Sequence, residues 1–374
     1  MSRQIHQYVS ILCFLSGLLI IQSAQAQSVG NKPLRIAVAR ITHDHVGWIL
    51  SRNKPDIILA GIYKPNNELA QRYAKKYGFS MDLVYNDFNK MLDAVKPEAV
   101  VGFGSVYEHM EVVENCAPRH IDVMVEKPLA ATLPQALRMD TLVKKYGIQL
   151  LTNFETSWYP TTEKTYQLLN DSNYIGNIKK VVVHDGHQGP KEIGVTKEFF
   201  EWLTDPVQNG GGALMDFGCY GANLMTYLMK GEQPISVTAV TQQFKPNIYP
   251  RVDDEATIIV TYPKAQCIIQ ASWNWPFGRK DMEVYGETGY IIATNNTSLH
   301  LRVQPDAAEH ESKVTATDVN IYTDPFAYFA DVIHGKIKVP EHGLYALQTN
   351  ITVMRILDAA KESAKTRKAV YLKN

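Results

Sequence analysis

The chain has 374 residues, enough for two domains, each with its own core. Its 38 basic and 38 acidic residues cancel, which removes any electrostatic reason to expect nucleic acid or an anionic membrane as partner. A small-molecule site is the better expectation, and there is no internal repeat or low-complexity tract to suggest otherwise.

The first 26 residues read as an export signal. Arg3 and His6 stand in a short polar start, an apolar core runs over 9–21, and Ala24-Gln25-Ala26 puts small residues at the cleavage positions. Cleavage is expected between Ala26 and Gln27, making the mature chain periplasmic or secreted. The apolar core is shorter than the ~20 residues that span a bilayer, and Cys13 lies inside it and not at its end, so neither a membrane anchor nor a lipoprotein is expected. Cys116, Cys219 and Cys267 are too widely spread for a disulfide framework or a metal centre and read as small buried side chains.

Residues 34–39 read as a buried strand and 46–52 as part of the helix after it. Between them, Ala39-Arg40-Ile41-Thr42-His43-Asp44-His45-Val46-Gly47 stands where a dinucleotide-binding fold places its glycine-rich turn, and the glycine fingerprint is absent. Arg40 is a candidate phosphate contact, with Thr42 and His43 as further donors; Thr42 or Asp44 reads equally well as a helix cap. His43 and His45 lack a nearby carboxylate or cysteine, so no metal is expected.

Residues 57–63 form the second expected strand, followed by a helix over 68–77. Lys64 occupies the place where an acid usually holds the ribose hydroxyls of NAD; a cation suits a 2′-phosphate, so of NADP and NAD the lean is to NADP. A helix over 87–95 leads to a strand over 99–103. That strand ends in Gly102-Phe103-Gly104-Ser105, where Gly104 lets a nicotinamide or ribose approach the backbone.

The next apolar run stops at Glu126-Lys127-Pro128. Proline cannot continue a central strand, so Lys127 belongs at a carboxyl-terminal strand edge, where open α/β sheets bind ligands, and Glu126 joins it in the candidate cofactor set. A helix over 133–146 is stopped by Gly147, and 149–153 is a further strand. Downstream, Gly210-Gly211-Gly212 permits a close approach, and a helix starting near it sets Asp216 and Tyr220 four residues apart on one face. From residue 178 the texture changes to successive strands over 181–184, 237–243, 256–262, 266–272, 282–285 and 290–293, with turn signals at Pro263-Lys264 and Glu287-Thr288-Gly289. A long helix over 345–364 closes the chain. The expected fold is an α/β Rossmann domain with a parallel sheet over 33–152, then an α+β domain with a largely antiparallel open sheet over 153–374.

Glu126-Lys127-Pro128 followed by Gly-Gly-Gly-x-x-x-Asp-x-Gly-x-Tyr resembles the Gfo/Idh/MocA oxidoreductases, of the glucose-fructose oxidoreductase and dihydrodiol dehydrogenase type, over residues 33 to 374. The resemblance implies that Lys127, Asp216 and Tyr220 are the catalytic positions, with tyrosine where some relatives carry histidine. His109 falls where similar proteins often carry a histidine. The segment 154–160 resembles the family's passage into its second domain, with Glu155 and Thr156 where many relatives have arginine.

Oxidising a secondary alcohol requires a proton to leave oxygen as hydride leaves carbon, and a phenol of pKa ~10 is a poor base near neutrality unless an ammonium lowers it. Tyr220 is thus the first choice of acid/base and Lys127 the second, with Asp216 orienting the substrate or the lysine. Tyr159, His187 and Trp273, with Trp202 and Trp275, are candidates for holding a sugar, although each also reads as a packing residue. The expected function is an NAD(P)-dependent oxidoreductase acting on a sugar, sugar derivative or polyol, as a possible homodimer or homotetramer. Export argues for a tightly held cofactor, because free NAD(P) is scarce outside the cytoplasm. Two further readings are a redox-neutral glycoside-cleaving enzyme using retained NAD(P), and a non-catalytic carbohydrate-binding protein on the same scaffold.

Overall fold

A computed structural model describes residues 32–372; the leader and its expected cleavage site lie outside the described residues. The first half alternates strand and helix: β1 (Leu34–Ala39), α1 (Val46–Leu50), β2 (Ile57–Tyr63), α2 (Asn67–Tyr77), β3 (Val84–Tyr85), α3 (Phe88–Val95), β4 (Ala99–Gly102), α4 (His109–Cys116), β5 (Asp122–Glu126), α5 (Leu133–Tyr146) and β6 (Leu150–Asn153). All six strands are parallel, in the order β3-β2-β1-β4-β5-β6. Such a sheet is buried on both faces, which is why its strands are nearly uninterrupted apolar runs. Ile36 and Val38 face a cluster with Val46 and Leu69, while Ala37 and Ala39 face the opposite core with Met91 and Val113. The helices start and stop where local chemistry says they should. Asn66, Asp87 and Thr132 accept N-cap hydrogen bonds, and Gly78 and Gly147 close α2 and α5 in the left-handed region.

The order reverses between β1 and β4. At such a switch point the loops leaving the two strands diverge and open a crevice at their carboxyl ends.

The second half contains α6 (Pro160–Asn170), β7 (Lys180–Gly186), α7 (Lys197–Leu203), α8 (Ala213–Asp216) and α9 (Gly218–Leu228). Then come β8 (Ser236–Gln242), β9 (Glu255–Thr261), β10 (Gln266–Ser272), β11 (Arg279–Tyr285), β12 (Gly289–Ala293), β13 (Ser298–Val303) and β14 (His310–Lys313). The chain finishes with α10 (Ala316–Val319), α11 (Pro325–Ile333), α12 (Leu347–Thr366) and β15 (Val370–Tyr371). The nine strands run β14-β13-β12-β11-β7-β10-β9-β8-β15, antiparallel throughout except for the parallel pair β7 and β10. Gly221 on α9 lies against Ile269 of β10, so close that a Cβ at Gly221 would fall 2.6 Å from it.

Two features differ from expectation. The single helix expected to carry both Asp216 and Tyr220 is broken at Phe217 into α8 and α9. Helix α11, distant in sequence from the first sheet, returns to it: Phe326 and Phe329 pack in the cluster of Leu34, Val38 and Met124.

Gly212 shows why the glycine triplet matters. The Asp253 carboxylate accepts hydrogen bonds from Gly212 N at 3.0 Å and Leu214 N at 2.7 Å, its carbonyl accepts Ala213 N at 3.0 Å, and α8 starts there. A Cβ on Gly212 would overlap that carbonyl oxygen. Gly212→Ala is therefore expected to cost on the order of 3 kcal/mol, read as a lower denaturation midpoint with unchanged cooperativity. An unchanged midpoint would show that the α8 cap is not needed.

Candidate active site

Lys127 leaves β5 at the carboxyl edge of the parallel sheet and is 7% exposed. Its Nζ donates to the Asp216 carbonyl at 2.9 Å and pairs with Asp216 Oδ1. The other carboxylate oxygen of Asp216 accepts the Trp273 indole N–H at 2.9 Å. Burial disfavours both charges, but mutual attraction outweighs it, raising the Lys127 pKa and lowering that of Asp216. The two are an ionised pair joining the first sheet to α8.

Tyr220, on α9, packs edge-on against Phe154 and is 1% exposed. Lys127 Nζ lies 5.1 Å from its ring centroid and Lys280 Nζ 4.9 Å from it. Lys280 pairs with Glu155, whose Oε1 also accepts the Tyr159 hydroxyl at 2.6 Å. The expectation that an ammonium lowers the Tyr220 pKa is reversed here. Burial raises it well above the ordinary phenol value, and the carboxyl groups of Glu155, Asp185 and Asp216 push the same way. Each ammonium already has its own carboxylate, so Tyr220 is held as a neutral phenol.

His187 turns its Nδ1 to the Gly189 N–H at 2.9 Å, and burial lowers its pKa to about 4, leaving a neutral ring whose other nitrogen is a donor. Glu155, Tyr159, His187 and Lys280 share the wall of a cavity of about 660 Å³ with Asn295 and Asn296. Trp273, expected as a sugar platform, is instead fully buried and orients Asp216. Trp202 is likewise packed, against His43 and Phe199.

The cofactor candidates divide. Of Thr42 and His43, expected as phosphate donors, the backbone amides both donate to the Phe103 carbonyl at 2.9 Å. The His43 ring is buried against Phe199 and Trp202, and its Nδ1 accepts the His45 amide at 3.1 Å. His45 Nδ1 is 3.1 Å from Glu126 Oε2, and Asn153 donates to Glu126 Oε1 at 2.8 Å. The carboxylate partner that the histidines lack in sequence is thus supplied by the fold. Burial favours protonation of Glu126, but His45, His43 and Asn153 overcome it and hold its pKa near 2. With Nδ1 of His43 taken by an amide, its proton sits on the other nitrogen, and a hydrogen-bond network accounts for the trio. His109 is buried, with Nδ1 3.2 Å from the Leu129 carbonyl.

Other atoms on this edge match a dinucleotide. Arg40 takes φ 67° where a glycine would usually sit, and its Nε and the Thr42 hydroxyl are buried without a partner. Lys64 is half-buried at the end of β2 with no ion-pair partner among the described residues, and desolvation lowers its pKa. Orphaned donors and an unpaired ammonium at the switch point are the chemistry an anionic ligand would complete.

A parallel sheet in this order, a lysine–aspartate pair at its edge and a second sheet walling the cavity define a two-part α/β oxidoreductase scaffold. Residues 38–154 match the family model described as an oxidoreductase family with an NAD-binding Rossmann fold, and residues 164–292 match the GFO/IDH/MocA C-terminal domain. The chain belongs to the Gfo/Idh/MocA family and is an NAD(P)-dependent oxidoreductase. Among curated proteins it is similar to trans-1,2-dihydrobenzene-1,2-diol dehydrogenase of Xenopus tropicalis, at 25% identity over 63% of this chain and 67% of that protein. It is also similar to D-xylose 1-dehydrogenase (NADP(+)) of Haloarcula marismortui, at 21% identity over 92% and 95%. Its fold matches that of the aldose-aldose oxidoreductase of Caulobacter crescentus, with TM-score 0.75 and 20% identity over 91% of this chain and all of that one. An inositol dehydrogenase homolog of Azotobacter vinelandii matches with TM-score 0.79 and 15% identity over 92% and 98%.

Asp185 and Lys280 escaped the sequence reading. They are neighbours across the β7–β11 ladder, and Asp185 is fully buried with neither carboxyl oxygen hydrogen-bonded. Burial raises its pKa well above 3.8, so folding favours its protonated form. A raised carboxyl pKa contributes stability below the unfolded value and loses it as pH rises toward the folded one. Asp185→Asn should therefore raise Tm relative to the parent at pH 7, with the gap closing as pH falls toward about 4 in paired thermal melts. A gap independent of pH would show that Asp185 is ionised in the folded protein.

Proposed function

We propose that the protein interconverts a secondary alcohol and a carbonyl on a sugar or polyol, with Lys127, Asp216 and Tyr220 at the reacting centre. The observation that carries this is the buried neutral phenol of Tyr220 flanked by ammonium groups at 5.1 and 4.9 Å, at the edge of an NAD-binding fold. When bound, the nicotinamide supplies hydride exchange with carbon; Arg40, Thr42 and Lys64 are the residues that would hold the dinucleotide. Lys64, an ammonium without its own carboxylate, favours NADP over NAD.

The protein's part is proton handling and orientation. As a neutral phenol, Tyr220 donates a proton to an oxygen gaining negative charge, and the flanking lysines stabilise the phenolate that results. Lys127, fixed by the backbone carbonyl and Oδ1 of Asp216, orients that oxygen. His187 and the Glu155–Tyr159 pair offer donors and acceptors in the cavity, a composition that suits a polyhydroxylated substrate. The similarity to a protein named as a D-xylose 1-dehydrogenase supports a sugar.

Tyr220→Phe preserves packing and removes only the hydroxyl. With an aldose panel and NADP, it is expected to lower kcat about 10²- to 10⁴-fold with little change in NADP affinity. An active Tyr220→Phe enzyme would move the acid role elsewhere, and Asp216→Asn, which loosens Lys127, tests that alternative in the same assay.

The leader sequence supports export. Amino-terminal sequencing of the mature protein is expected to begin at Gln27, and an intact Met1 would end the export reading.

A further inference from the structure

We infer that Glu108 occupies the phosphate position at the switch point, acting as an internal anion that a dinucleotide must displace. The inference rests on the NAD(P) reading of this edge and adds to it a determinant of affinity.

Glu108 Oε1 pairs with Arg40 at 2.8 Å, and Glu108 Oε2 accepts the Ser105 amide at 2.9 Å. Those are a guanidinium and a backbone N–H from the loops that leave β1 and β4, the donors an anion entering this crevice would take. Glu111 holds the remaining terminal nitrogen of Arg40 at 2.6 Å. Gly104 is shaped by this arrangement: a Cβ there would fall 2.5 Å from Glu108 Oε2 and 3.0 Å from Arg40 Cγ. The closeness that glycine permits is thus used by the chain's own carboxylate. Around the crevice Arg40 and Lys64 are matched by Glu108 and Glu111, which leaves no net positive charge to attract a pyrophosphate.

Glu108 also has a structural role that the test must hold constant. Ser105 Oγ accepts Glu108 N at 3.4 Å while Glu108 accepts Ser105 N, the reciprocal pattern of a capping box, here in the turn that leads into α4. Glutamine serves in such a box, so Glu108→Gln keeps the cap and removes the charge. Glu114→Gln, on the exposed side of the same helix where Glu114 pairs with Arg138, makes the same charge change away from the crevice.

The experiment is an equilibrium titration of the purified mature chain and both variants with NADPH, followed by nucleotide fluorescence, with thermal melts to confirm folding. Glu108→Gln is expected to bind NADPH roughly tenfold tighter than the parent, and Glu114→Gln to match it. If the parent binds NADPH and Glu108→Gln binds no tighter, Glu108 is a helix cap only and the inference fails while the cofactor reading stands. If neither binds NADPH, nor NADH in the same titration, both fail together.

Discussion

The structure depends on a charge pair almost wholly withdrawn from water. Lys127 follows the last residue of a strand of the first sheet and Asp216 ends a helix capped from the second half, and at 7% and 5% exposure neither charge is tolerable without the other. That requirement propagates outward. Asp216 must be aimed, so Trp273 donates to its second oxygen; α8 must start in one place, so Asp253 gathers the Gly212, Ala213 and Leu214 amides; Gly212 must lack a side chain, because Asp253 lies against it. Residues that look functional in sequence are here the supports of one ionic contact. The result is an ion pair with little freedom to relax, a rigidity that orientation-dependent proton transfer would need.

Much of the fold was legible because its information is local. Parallel strands buried on both faces read as apolar runs, helix caps read as Asn, Asp or Thr before a periodic stretch, and Lys127 could be placed at a strand edge because proline follows it. What was not legible depends on partners far away in sequence. Helix α11 is apolar on the side that meets the first sheet, yet nothing near Phe326 says that the partner is Leu34, some 290 residues earlier. Trp273 reads in sequence both as a sugar platform and as a packing residue, because an aromatic after a strand signals an exposed face as readily as a buried donor; the fold buries it. The direction of the Tyr220 shift was misread for the same reason: Lys127 is recognisable by its motif, whereas Glu155 and Asp185 reach the phenol from other elements.

The altered turn after β1 shows how a fold keeps a geometry while changing the side chains that produce it. Arg40 adopts the left-handed conformation usually left to glycine, and the amides of Thr42 and His43 close on Phe103 of the adjacent β4 loop. The turn is therefore held by its own chain, with Arg40, Glu108 and Glu111 filling space that glycines would leave open. Loss of the glycine fingerprint is thus a change of lining, and the sheet order that creates the crevice is untouched.

Charge balance around Tyr220 constrains what the site can do. Lys127 and Lys280 contribute two positive charges, Asp216 and Glu155 cancel them, and burial raises the Asp185 pKa well above the usual carboxylate range, so the lysines bring no net positive charge to the phenol. Losing its proton to water would leave a net negative charge in a poorly solvated place, which is why the phenol resists ionisation. Passing the proton to an oxygen on which negative charge is developing moves charge without creating it, and the two ammonium groups are already positioned to stabilise the phenolate. A buried phenol of high pKa is therefore compatible with catalysis provided proton transfer keeps step with bond change at carbon. The Lys280–Glu155–Tyr159 chain runs from the Tyr220 ring to the cavity wall.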